Sequence, residues 1–156
     1  MLQNMNKLKE NIAEIASEVI ERHNFFLIEL VFRGTPKTYV IEIYIDGEKN
    51  VSADDCAEVS KDIVQIIEEK NIIEGSFRIE VSSPGVDRPL LFLKQYFKHI
   101  NRKFDISYKE DEEIKKMKAR LISIESENLL FEKENKDLIK ININNIIKAK
   151  VIVSFS

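Results

Sequence analysis

The sequence predicts an α+β protein: an α-β-β-α-β unit, with two helices on a three-stranded sheet, followed by a small closed β-barrel. Three observations carry this. Two stretches place apolar residues at helical spacing, three others alternate apolar with polar residues, and beyond residue 100 the pattern changes to five short alternating segments. A chain of 156 residues suits one domain or two small ones. The division expected is an α/β domain over 1–85, a connecting helix over 86–99 and the barrel over 100–156.

Each element has its own signal. Leu8, Ile12, Ile15, Ala16, Val19 and Ile20 recur at helical spacing, and the helix ends near His23-Asn24. Phe26, Ile28, Leu30 and Phe32 then mark one face of a strand, and Gly34-Thr35-Pro36-Lys37 supplies a hairpin connection. The return strand, Thr38 to Asp46, sets Tyr39, Ile41, Ile43 and Ile45 on one face and Val40, Glu42 and Tyr44 on the other. Ser52 is an N-cap, with Asp54 and Asp55 at the positive end of the following helix. Cys56, Val59, Ile63, Ile66 and Ile67 form that helix's apolar face as far as about Lys70. Phe77, Ile79 and Val81 alternate with Arg78, Glu80 and Ser82 in a third strand. Two amphipathic helices both bury a stripe by packing on the sheet, here on a single face.

In the second half, Lys103–Tyr108, Lys116–Glu125, Asn128–Glu132, Leu138–Ile143 and Ile147–Val153 read as strands separated by polar turns. Closure into a barrel removes exposed edges, and a turn just before the last strand is typical of an SH3-like or Sm-like barrel.

Between the halves lies Glu80-Val81-Ser82-Ser83-Pro84-Gly85-Val86-Asp87-Arg88-Pro89-Leu90. Proline presets φ at the second position of a turn, and glycine accepts the positive φ that a type II turn needs at the third. Asp87 and Pro89 suit the first turn of a short helix, expected to begin near Asp87 and to continue through Leu90–Lys98. Residues 81 to 90 resemble, position by position, the hallmark of the bacterial ribosome maturation factor RimP family. The segment from Asp46-Gly47 through Asp54-Asp55-Cys56 is similar to a second family segment, and Ile146–Val151 resembles its closing strand. The resemblance implies an α/β domain followed by an SH3-like barrel. It also implies a non-catalytic role in maturation of the 30S subunit, with the immature subunit, its twelfth small-subunit protein and 16S rRNA as partners. Asn101 and Ala119 stand where glycine is common in the family, and Asn142–Ile146 is more polar than usual.

The chemistry of catalysis is sparse. There is no phosphate-binding glycine loop and no nucleophile elbow. His23 and His99 lie at no metal-ligand spacing and read as solvated or capping side chains; one cysteine builds neither a zinc site nor an internal disulfide. Cys56 sits on a helix's apolar face, where an inert buried thiol is expected. Ser82 and Ser83 have no base close in sequence, and hydrogen bonds within the turn account for them. No cofactor or metal is expected. With Ser82, Ser83, Pro84, Gly85, Asp87, Pro89 and Leu90, Arg88 belongs to the boundary segment. It can meet a phosphate, pair with Asp87 or clamp the two domains, and the clamp is favoured because Arg donors suit fixed geometry.

Charge is uneven. Residues 1–85 hold 9 Lys and Arg against 16 Asp and Glu, whereas residues 86–156 hold 15 against 11. A basic half suits RNA phosphates. Lys94, Lys98, Arg102 and Lys103, interleaved with Tyr96, Phe97 and Phe104, and then Lys116 and Lys118, are the candidate RNA or subunit contacts. Lys115 and Arg120 lie on the same strand, and a solvated charged face is the plainer reading of the cluster. Two further functions stay open. A general RNA-binding module with a KH-like first domain lacks the clamping Gly-x-x-Gly loop. An enzyme using Ser83 or Cys56 lacks a partner base. No apolar run approaches the ~20 residues that span a bilayer, and no secretory signal is visible in Met1–Lys7, so a cytoplasmic, monomeric protein is expected.

Overall fold

The computed structural model describes residues 2–85 and 87–153. The chain divides into two compact units, one ending at Pro84 and the other beginning at Gly85. In the first, α1 (Leu2–Arg22) leads into the hairpin β1 (Phe26–Thr35) and β2 (Thr38–Asp46), then α2 (Ala53–Glu69) and β3 (Ser76–Ser82). The sheet order is β1-β2-β3, with β1 antiparallel and β3 parallel to the central β2. Ile12, Ala16, Val19 and Ile20 of α1, Val59, Ile63 and Ile67 of α2, and Ile41, Ile43 and Ile45 of β2 form one buried cluster. Both helices therefore cover the same face of the sheet, as the apolar patterns require.

The helix ends are set by local chemistry. Ser52 has extended backbone, and its Oγ accepts from the Asp55 amide at 3.0 Å while the Asp55 carboxylate accepts from the Ser52 amide at 2.9 Å. This reciprocal capping box satisfies two N–H groups that the helix itself leaves open. Both helices terminate on an asparagine in left-handed conformation, Asn24 at φ 65° and Asn71 at φ 51°. In each case the next amide reaches back five residues, Phe25 to Ile20 and Ile72 to Ile67, closing the end of the helix where glycine is more usual. Gly34, at φ 85°, turns the β1–β2 hairpin; a Cβ there would lie 2.3 Å from the Thr38 carbonyl oxygen.

One face assignment changes. The β1–β2 register shifts between Leu27 and Glu29, so Leu27 lies opposite Ile45 and Phe26 opposite Asp46. The extra residue, Ile28, absorbs the bulge, and simple alternation from Phe26 to Phe32 does not hold across it. On the sheet's outer face, Arg33 meets Glu42 at 2.9 Å and Glu80 at 3.5 Å, and Arg78 meets Glu80 at 2.8 Å.

In the second unit, β4 (Lys103–Glu110), β5 (Glu113–Glu125), β6 (Asn128–Lys133) and β7 (Leu138–Asn142) form an antiparallel meander, and β8 (Ile146–Val151) returns beside β4. The tight β4–β5 turn places Asp111 and Glu112 both at positive φ, matching the twist of the strands. Phe104, Ile106, Ala119, Leu121, Leu129, Phe131, Ile141, Ala149 and Val151 make its core. The sheet runs β7-β6-β5-β4-β8, and the closed barrel expected from the strand count is not found among the described residues. The edges are managed differently. β7 is only five residues long, and the Leu90 amide donates to the Ala149 carbonyl at 2.9 Å on β8.

The expected helix after Asp87 is also corrected. Two short 3-10 turns, Leu93–Gln95 and Phe97–His99, stand in its place. The Leu90 amide is spent on β8, and those of Leu91 and Phe92 on the Gln95 side chain, so none begins a helical ladder.

The capping box yields a prediction. Acceptance from the Ser52 amide, then from its hydroxyl, holds the Asp55 carboxyl below its ordinary value. A depressed folded pKa gives stability that is present above the ordinary carboxylate range and lost as pH falls through the folded value. Ser52→Ala should cost about 1 kcal/mol at neutral pH. The gap between wild type and Asp55→Asn should close as pH drops below 4; urea titrations at several pH values read both.

Candidate functional site

The boundary segment is anchored on its C-terminal side by hydrogen bonds within the second unit. Gln95 is fully buried, and its Oε1 accepts from the amides of Leu91 at 2.7 Å and Phe92 at 2.9 Å. One side chain thus does the work of a backbone ladder. Gly85 takes φ 70°, as the turn reading requires, with open space where a Cβ would stand. Val86, the fourth residue of the turn expected from the sequence, lies outside the described residues. Ser82, Ser83, Asp87 and Arg88 are exposed, while Pro84, Pro89 and Leu90 are half-buried.

A groove beside α2 and β3 brings together Ser52, Cys56, Ser60, Ser82 and Ser83, with Glu80 the one charged group lining it. Cys56 is half-buried rather than enclosed; burial, and then the Asp55 charge, push its thiol up. A raised thiol is a poor nucleophile. The histidines lie elsewhere. His23 is bonded to Asp62 at 2.7 Å, and His99 is buried with its ring edge-on to Phe104, so of the two readings, solvated or capping, the solvated one does not hold. Among the described residues no three His, Cys, Asp or Glu side chains group as metal ligands.

The candidate cations do not all converge. Lys94 and Lys98 sit on the 3-10 turns, and Arg102 precedes β4. Lys103, Lys116 and Lys118 share the outer face of the second sheet. Register places Lys103 opposite Arg120, Asp105 opposite Lys118 and Ser107 opposite Lys116. On the other side of β4, Asp105 faces Lys150 and Ser107 faces Lys148. Side chains directly opposite one another project to the same face. Lys103, Lys116, Lys118, Arg120, Lys148 and Lys150 therefore form one basic field across three strands. The reading by sequence left out Lys148 and Lys150, although Lys148-Ala149-Lys150 carries the signal: Ala149 is buried, so its neighbours face outward.

Two of the interleaved aromatics are structural. Tyr96 and Phe104 are buried and stacked at 5.7 Å, and Phe104 meets Phe131 edge-on at 6.0 Å. They are unavailable for base stacking; Phe97 is about half exposed. The Tyr96 hydroxyl is buried without a hydrogen-bond partner among the described residues. Asn101, in a position where glycine is common, takes φ 76°, a left-handed conformation that asparagine tolerates.

The first unit is a three-stranded sheet under two helices whose third strand runs into Ser82-Ser83-Pro84-Gly85, and a β-rich unit with a basic sheet face follows it. Residues 15–87 match the family model of the RimP N-terminal domain, a match that supports the RimP family of ribosome maturation factors. The match runs from the middle of α1 to Asp87 and so takes in every strand of the first sheet. Among the described residues no helix is long and apolar enough to cross a membrane.

Gln95→Leu should lower stability by about 1–3 kcal/mol, because two amides lose their acceptor in a half-buried setting. Tyr96→Phe should leave stability unchanged or raise it, since the buried hydroxyl it removes has no partner among the described residues. Thermal unfolding of both variants checks the contrast.

Proposed function

We propose that this protein is a non-catalytic maturation factor of the small (30S) ribosomal subunit. In this reading it is a cytoplasmic monomer that binds immature subunits transiently, through their 16S rRNA and their twelfth protein. The observation that carries this is the family match over residues 15–87, continued by the unbroken segment to Leu90. The groove holding Cys56, Ser82 and Ser83 is lined by no histidine or lysine, which supports a binding role over a catalytic one.

An SH3-like plan for the second unit is supported by its strand order, with the last strand returning beside the first after the 3-10 turn Ile143–Asn145. Such a unit offers loops and short strand edges to another protein. Ser82, Ser83, Pro84, Gly85, Asp87, Arg88, Pro89 and Leu90 belong to the fixing of domain orientation, with Arg88 as the clamp. Lys94, Lys98 and Arg102 stand as additional contacts to the subunit.

Co-sedimentation with free small subunits, immature small subunits and intact ribosomes tests the function, with naked RNA as control. Selective retention on immature or free small subunits is expected; equal retention on any RNA, lost as salt rises, would replace this reading by a general RNA-binding module. Removal of residues 100–156 should abolish retention. Arg88→Ala should weaken retention while leaving the melting of each unit unchanged.

A further inference from the structure

We propose that the outer face of β5-β4-β8 is a docking surface for the phosphate backbone of RNA, read by charge and spacing and not by base identity. This rests on the maturation reading for its biological setting, and on the geometry of the face for its chemistry.

The two sheets of the protein treat their outer faces differently. On the first, the arginines are neutralised: Arg33 and Arg78 are each within 3.5 Å of a glutamate. On the second, Lys116, Lys118, Lys148 and Lys150 have no carboxylate within 4.0 Å among the described residues. Even Asp105, in register between Lys118 and Lys150, pairs with neither. Like charges on neighbouring strand positions repel and lower stability. A polyanion laid across the field removes that repulsion.

Spacing selects the kind of polyanion. Lys116 and Lys118 are two residues apart on one strand, as are Lys148 and Lys150 on another. The two-residue step along a strand is about 6.7 Å, and the strands on either side of β4 are about 9.6 Å apart. The result is two rows of positive charge rooted at these spacings, suited to successive phosphates of one strand and to a second row beside it. The face offers no aromatic ring: the positions between the lysines are Asp105 and Ser107. Base stacking, which single-strand binders use, has no platform here. Its exposed apolar side chain, Ile114, stands at the hairpin end opposite Lys109, and beside this many lysines a sugar-phosphate backbone fits better than a membrane or the hydrophobic face of a partner protein.

The test uses the full-length protein and a fluorescently labelled 20-base-pair RNA duplex of arbitrary sequence, with binding read by anisotropy from 50 to 300 mM salt. Polyglutamate serves as competitor. Wild type should bind the duplex with a steep salt dependence and resist polyglutamate. The fourfold variant Lys116→Gln, Lys118→Gln, Lys148→Gln, Lys150→Gln should lose at least tenfold in affinity. The slope of log K against log salt should become shallower by about three, at roughly 0.7–0.9 per lysine. Asp105→Asn should bind tighter, a gain that misfolding does not produce. Paired Arg33→Gln and Arg78→Gln on the other sheet should change nothing.

The proposal is overturned by a wild type that ignores the duplex at 50 mM salt, by a fourfold variant with the wild-type slope and unaltered melting, or by polyglutamate displacing the duplex as readily as unlabelled RNA does. Co-sedimentation of the same proteins separates the two readings. Duplex binding intact but no retention on small subunits removes the maturation reading and leaves the phosphate face standing. Retention by a fourfold variant with the wild-type salt slope does the reverse.

Discussion

The two-residue period of the strands governs what each sheet can show to its surroundings. In β2, burying Ile41, Ile43 and Ile45 under two helices commits Val40, Glu42 and Tyr44 to the opposite face. In β5 the same rule buries Ala119 and Leu121 and commits Lys118 and Arg120 outward. A slip of one residue would drive lysines into a core containing Phe104 and Phe131. The register that holds each core therefore also sets where along the exposed face each charged side chain is rooted.

What the two sheets do with that charge differs. Glutamates at positions 42 and 80 lie opposite one another in the β2–β3 register, and Arg33 reaches both. This face closes on itself electrostatically. The second sheet forms its ion pairs at the margins, with Glu110 on Lys115 at 2.8 Å near the hairpin and Glu134 on Lys103 at 3.4 Å, while the central Asp105 pairs with neither flanking lysine. The hydrogen bond from Lys115 holds the Glu110 carboxyl below its ordinary range and, in turn, pushes the ammonium up. Exposed pairs of this kind add little stability. Their effect is to neutralise the rim and leave the central lysines uncompensated.

Much of this was legible in the sequence, because element type follows from strong periodicity. The α-β-β-α-β order, the Ser52 cap and the five later strands all rest on local patterns. The failures have local causes. The bulge at Ile28 interrupts the alternation by one residue without any glycine to mark it. Leu90–Lys98 is apolar enough for a helix, but its first amides are drawn away by Ala149 and Gln95, partners distant in sequence or supplied by a side chain. Strand count alone implied closure, whereas a short β7 and a padded β8 make closure unnecessary. The basic field was half visible: β5 announces it, but Lys148 and Lys150 join only once β8 is known to return beside β4.

That return also orders events in time. Phe104 pairs with Val151 and Ile106 with Ala149, so β4 gains its second neighbour only after the whole meander between them has been made. The hairpins of β4 to β7 are local and can assemble as they emerge, while the long-range pairing waits, since distant contacts are slow to form. Until then the buried side of β4 lacks Ala149 and Val151, and the lysine array has only one of its two flanking rows. The second flanking row of lysines thus joins the face only when the last strand of the second unit pairs with β4.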